Sequence, residues 1–330
     1  MSRRQRAWPW LRRHGRALWL ALAALLVALA LLQPRMTLPQ EVYRYVMVFD
    51  ITQSMNTRDY HRAGWPEDRL GYAKQAVRES IKALPCGSEV GLGLFTTQTV
   101  QLLFEPLEVC AHLPIIDDVL NHIDWRMAWS ADTHVETGLY HAIREVRKRD
   151  AGLRLVFLTD GQETPPQTVQ PQFDGSPGEV PGLLVGVGGT APVTVPRYDR
   201  ENRPLGIWEN ADIEKPPVST TVYSVKVETR SLPAEGPYLS WLDEAHLKVL
   251  SAGTGLRYLR LDDPAAFMAF MTRAEFAERR PTSTDVRPHL AGMALLLLAL
   301  SYGYERRRGS HGKGKPPGHG RVKGFRRSAG

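Results

Sequence analysis

The chain has 330 residues, of which 43% are hydrophobic and 23% charged, with a formal net charge of +7. This is long enough for one sizeable core plus additions. Residues 1–16 carry six arginines and no acid, and 305–330 carry nine basic residues and one acid, so 17–304 has a net charge of −7. The positive balance belongs to the ends, and in the Gly/Lys/Arg-rich stretch 309–330 Phe325 is the one aromatic, a composition that excludes a stacking nucleic-acid surface; no nucleic-acid partner is expected.

Behind the basic segment 1–16, the apolar run Ala17–Leu32 predicts a transmembrane helix over 17–33. It reaches about 24 Å at ~1.5 Å per residue, somewhat short for a bilayer core, with arginines snorkelling at its ends. A signal peptide cleaved after Ala28-Leu29-Ala30 is the alternative. Tyr45–Asp50 then reads as a buried strand, and Arg69–Leu84 as an amphipathic helix with Leu70, Ala73, Ala76, Val77, Ile81 and Leu84 on its apolar side. Glu89–Thr96 and Val100–Leu107 predict a hairpin turning at Thr97-Gln98-Thr99. Cys86 and Cys110 are equidistant from Gln98, which sets them opposite each other at the open end; a disulfide in an oxidising compartment or two buried thiols both fit.

A short helix follows over His112–Ile123, and a stronger one over Val135–Arg149. Leu153–Thr159 and Val180–Val187 are further buried strands, Tyr238–Ser251 a helix, and Leu256–Leu261 a last strand. Between them, 164–181 and 190–237 are proline-rich insertions that start just after strand ends, so they either wall a site or form surface loops; Val218–Glu228 within the second alternates like a strand. A helix and linker over 263–288 lead to the run Leu290–Tyr304, which predicts a second transmembrane helix over 289–304, with a buried or amphipathic helix as the alternative. The remainder, 305–330, reads as a disordered basic tail that touches anionic lipid. Basic tails outside both runs put both termini in the cytoplasm and translocate the middle. The fold expected of that middle is α/β, a doubly wound, mostly parallel sheet with one antiparallel edge hairpin.

Candidate chemistry gathers at strand ends. Asp50 closes the first strand and is followed by Thr52 and Ser54; Asp160 closes the strand Leu153–Thr159; Thr133 precedes a helix. In a doubly wound sheet these loops meet in one crevice. Two carboxylates and three alcohols make an all-oxygen set that suits Mg²⁺, with Ca²⁺ or Mn²⁺ as alternatives. Asp132, His134 and Glu163 lie close by and read as added charge or as ordinary loop residues. Trp125, Arg126 and Trp129 read either as a partner-contacting rim or as packing under the loop. The sequence holds no cysteine–histidine metal spacing, nucleophile elbow or P-loop.

Asp50-x-Thr52-x-Ser54, then Thr133, then Asp160 resembles the von Willebrand factor A domain and its metal-ion-dependent adhesion site, with Thr52 where the family pattern has Ser. The resemblance covers about residues 40–262 and implies a metal held by these five residues, no catalysis, and a partner that presents an acidic residue. Leu242–Leu247 before Gly253–Tyr258 is similar to bacterial membrane-anchored A-domain proteins of the BatA/BatB kind, which implies an inner-membrane protein with a periplasmic domain, sibling A-domain proteins and a MoxR-type ATPase as partners. Asp50–Asn56 with Leu84–Ser88 resembles A-domain accessory proteins encoded with bacterial methanol dehydrogenase, which implies a role in assembly or metal insertion of a periplasmic enzyme. Two alternatives remain: a metal-independent membrane scaffold, and a phosphatase of the haloacid-dehalogenase kind using Asp50, Thr159 and Asp262-Asp263. Against the latter, Thr52 occupies the place of the second aspartate and cannot protonate a leaving group.

Overall fold

A computed structural model of the chain describes residues 3–32, 35–130, 132–165, 171–213 and 235–311. The chain divides into two compact units, Pro39–Thr282 and a second made of residues 1–38 with 283–330.

In chain order the elements are helix α1 (Arg3–Leu31), strands β1 (Arg35–Val42) and β2 (Arg44–Asp50), helix α2 (Arg69–Ala83), strands β3 (Glu89–Thr96) and β4 (Thr99–Glu108), helices α3 (Val109–His122) and α4 (Val135–Arg149), and strands β5 (Arg154–Thr159) and β6 (Gly182–Gly186). Short strands β7 (Val193–Thr194), β8 (Pro196–Tyr198), β9 (Pro204–Ile207) and β10 (Leu239–Ser240) follow, then α5 (Glu244–Thr254), β11 (Arg257–Arg260), α6 (Pro264–Met271), β12 (Glu278–Asp285) and α7 (Arg287–His311).

The central sheet runs β11-β6-β5-β2-β3-β4; all neighbours are parallel except the edge pair β3/β4. The expected parallel sheet with one antiparallel edge hairpin is therefore the one observed. β2 shows why it is covered on both sides. Tyr45, Met47 and Phe49 enter a core closed by α2, α3 and α6. Val46 and Val48 enter the opposite core, closed by α4 and α5. A strand buried on both faces reads as a continuous apolar run, as this one does.

Local signals fix the helices. Asp68 caps α2, its side chain accepting from the Gly71 N–H at 2.6 Å, and Asp243 caps α5, which ends on left-handed Gly255. α3 starts three residues before the expected His112, because the Glu108 carboxylate accepts from the Ala111 N–H at 2.6 Å and caps the helix there. α4 packs against β3 through Gly138, where a Cβ would fall 2.0 Å from the Phe95 ring. Gly138→Ala is expected to cost about 2 kcal/mol by overpacking, read as a lowered urea midpoint with an unchanged slope.

The domain reaches further than the expected 40–262. Phe267, Met271 and Phe276 join the core beneath β2, and the Tyr43 hydroxyl donates to the Thr272 carbonyl at 2.7 Å. Of the helix and linker expected over 263–288, the structure has helix α6 and, where the linker was expected, strand β12, which pairs with β1. Val218–Glu228 lies outside the described residues.

In the other unit, α1 and α7 pack together through Ala23, Leu26 and Ala294, with Leu290 and Leu297 alongside. α1 begins at Arg3, so residues 3–16 of the basic segment are helical and continuous with the apolar run. α7 continues through 305–311, and the rest of the expected tail lies outside the described residues. Of the transmembrane spans expected over 17–33 and 289–304, residues 17–31 lie in α1 and 289–304 in α7, but among the described residues no helix is long and apolar enough to cross a membrane.

Candidate metal centre

Asp50 ends β2 and Asp160 directly follows β5, two neighbouring parallel strands, so both carboxylates sit at the same carboxyl edge of the sheet. Such an edge is where open α/β sheets bind ligands. Asp50 Oδ1 accepts from the Thr52 N–H at 2.9 Å and from the Thr52 hydroxyl at 2.6 Å. Its Oδ2 accepts from the Thr159 hydroxyl at 2.6 Å. Thr52 Oγ1 lies 3.4 Å from Ser54 Oγ. A hydroxyl whose proton is committed to Asp50 turns its lone pairs elsewhere, which leaves Thr52 an acceptor for a cation.

Thr133 arrives from the other side. Its backbone exchanges hydrogen bonds with Thr164, at 2.7 and 2.8 Å, while the next N–H, of His134, donates to the Thr97 carbonyl at 2.6 Å. The loop before α4 is thereby laced to the β3/β4 turn and to the segment after β5. Thr133 and Ser54 line one small cavity with Gln53, Thr164, Trp208, Ile213 and Tyr238. The described ends of both insertions therefore wall the site: Thr164 from one, Trp208, Ile213 and Tyr238 from or beside the other.

All five expected ligands are buried, Asp50 and Asp160 completely. Burial pushes the Asp50 carboxyl up to about 7, and the charge on Asp160 adds to the shift against the hydrogen bonds from Thr159 and Thr52. Among the described residues no cation pairs with Asp50. The residues fit a metal on this ground: an all-oxygen donor set surrounds a buried carboxylate whose charge the protein leaves unbalanced.

Asp160 differs. Its Oδ1 accepts from the Gln162 N–H at 3.1 Å, and its Oδ2 from Arg69 Nη1 at 2.8 Å and from the Ser240 hydroxyl at 3.3 Å. Sequence reasoning missed Arg69, Ser240 and the role of Thr159. One signal for Arg69 exists: a cation opening a helix sits against the helix dipole, so it needs a partner elsewhere.

The secondary candidates resolve individually. The Glu163 carboxylate accepts from the Glu136 N–H at 2.9 Å, at the start of α4, and lies 3.5 Å from His134 Nδ1. Trp125 donates to Asn202 and Arg126 to the Arg200 carbonyl, so both hold the β8/β9 hairpin, while Trp129 is 65% exposed. Asp263 caps α6 and pairs with Arg62, and Asp262 pairs with Arg260. Cys86 and Cys110 form a disulfide. Bonded thus, they and neighbouring Glu108 offer no thiolate pair to a metal.

A doubly wound α/β domain with a hydroxyl–carboxylate cluster at its switch point is the class these features define. Residues 45–162 match the family model of the von Willebrand factor type A domain. Among solved structures, the chain is similar to an aerotolerance-related membrane protein from Bacteroides fragilis, at 14% identity over 69% of this chain and 96% of that one, with a TM-score of 0.45. BatB from Bacteroides thetaiotaomicron gives 16% identity over 69% and 95%, also at 0.45. A membrane-spanning protein from Vibrio fischeri gives 17% over 68% and 94%, at 0.27. No curated protein matches the chain in sequence.

Proposed function

We propose that the domain binds a partner protein through a divalent cation, Mg²⁺ foremost, held by Asp50, Thr52, Ser54, Thr133 and Asp160. The observation that carries this reading is the buried Asp50 carboxylate, unpaired with any cation among the described residues and set in a shell of hydroxyls. A bound cation supplies an electrophilic position for an anionic oxygen. The chain's own residues do the rest: Asp50 orients the Thr52 and Thr159 hydroxyls, and Ser54 and Thr133 line a small cavity. The partner accordingly presents a carboxylate.

The role is adhesion rather than catalysis. Thr52 cannot act as a general acid at neutral pH, Thr159 is committed to Asp50, and Asp262 and Asp263 are engaged with Arg260, Arg62 and the start of α6. The disulfide favours an exported domain. On this reading the exposed Leu18, Leu22, Leu25, Leu295, Leu296 and Leu300 of α1 and α7 associate the chain with a bacterial inner membrane, and the domain works on its periplasmic side. The client is then a periplasmic enzyme under assembly or metal insertion, of which methanol dehydrogenase is the example, with a MoxR-type ATPase on the cytoplasmic side.

The test is calorimetric titration of Mg²⁺ or Mn²⁺ into the detergent-solubilised full chain, beside capture of client protein with and without EDTA. Wild type should bind one divalent ion, and both binding and capture should vanish in Asp50→Ala. Capture that is undiminished by EDTA and by the substitution selects the metal-independent scaffold instead.

A further inference from the structure

Arg69 is the first residue of α2, and its side chain is wholly buried. Its Nη1 donates to Asp160 Oδ2 at 2.8 Å, to Ser240 Oγ at 2.6 Å and to the Ser54 carbonyl at 3.4 Å. Its Nε and Nη2 both donate to Asp59 Oδ2, at 2.9 and 2.7 Å. The second Asp59 oxygen is buried without a partner. Gly188 makes room for the guanidinium: it has φ +117°, and a Cβ there would lie 2.5 Å from Arg69 Nε. The guanidinium thus has a built seat between one expected metal ligand, Asp160, and the loop that carries another, Ser54.

The charges in this seat set what the site can accept. Asp59 and Asp160 pair with the guanidinium, and Asp50, at the end of the strand beside Asp160, adds a third buried carboxylate to the group. A divalent cation brings that group to neutrality. Without Arg69 the same cation leaves a net negative charge, which repels an incoming acid in a low-dielectric setting. Arg69 also competes with the cation for Asp160, so it weakens cation binding while it favours the next ligand.

We infer that Arg69 is a positioning and specificity-determining residue that trades cation affinity for acceptance of a carboxylate by the loaded site. This rests on the metal-ion reading above. The experiment uses the full chain in detergent, with Mn²⁺ titration followed by titration of glutarate into the Mn²⁺-loaded protein. Arg69→Gln should bind Mn²⁺ about tenfold more tightly and glutarate about tenfold more weakly, and Arg69→Lys should move both back towards wild type. Asp59→Asn, which keeps an acceptor for the guanidinium but removes a charge, should shift both affinities the opposite way and stands in if Arg69→Gln fails to fold. A purely structural role predicts that cation and glutarate binding fall together, and that pattern, or no change in either, overturns the inference. Wild type that binds no Mn²⁺ overturns the metal-ion reading and this inference with it.

Discussion

Asp50→Asn is expected to stabilise the cation-free protein at pH 8 while it abolishes cation binding. Burial, and secondarily Asp160, raise the Asp50 carboxyl from 3.8 in the unfolded chain to about 7 in the folded one. Between these values the folded protein keeps a proton that the unfolded chain has released. In EDTA, stability should therefore fall as pH rises from about 4 to 7, and this contribution should level off above that. At ~1.4 kcal/mol per pH unit, a rise from 3.8 to about 7 makes the buried charge cost on the order of 4 kcal/mol at pH 8. Asparagine keeps an acceptor for the Thr52 N–H and removes the charge, while the Thr159 hydroxyl can turn to accept from the new amide. Urea unfolding at pH 5 and pH 8 in EDTA measures this directly, and Mg²⁺ should restore wild type but not the variant. A variant less stable than wild type at pH 8 in EDTA would mean that Asp50 is not an uncompensated buried charge.

Replacing both cysteines by serine should cost about 3 kcal/mol without changing the affinity of the cation site. The bridge joins residues 24 apart, with Cα atoms 5.3 Å from each other. It ties the entry to β3 to the first turn of α3, across the open end of the β3/β4 hairpin. Asp50 and Asp160 lie at the carboxyl ends of their strands, whereas Cys86 precedes the amino end of β3, so bridge and site occupy opposite edges of the sheet. Urea midpoints of the double variant, paired with Mn²⁺ titration in the absence of denaturant, separate the two effects. A large loss of cation affinity at full folding would contradict this independence.

Much of the domain was legible because its signals are local. Tyr45–Asp50 and Leu153–Thr159 are apolar runs short enough to be buried strands, and the aspartate that ends each is visible without any knowledge of packing. Asp50, Thr52 and Ser54 sit within one turn of chain, and Asp160 enters because β5 pairs beside β2. What the sequence left hidden is long-range. Arg69 meets Asp160 and Ser240 across 91 and 171 residues, and ion pairs between elements leave no periodic trace. Thr159 stood out only as a part of the phosphatase alternative; its hydroxyl matters because the neighbouring strand presents Asp50 to it. The β12 strand escaped for a related reason: Glu278–Asp285 is rich in charge and contains Pro281, and its pairing partner β1 lies at the other end of the domain.

That same pairing makes the domain a closed circuit of chain. β1 and β12 lie side by side, and Gln40 and Thr282, next to the limits of the domain, touch through their side chains at 3.0 Å. Entry and exit are therefore about one strand spacing apart, ~5 Å. Residues 39–282 can be transplanted as a single insertion into a tight loop of an unrelated carrier protein, with the two-strand stem as the only junction to be matched.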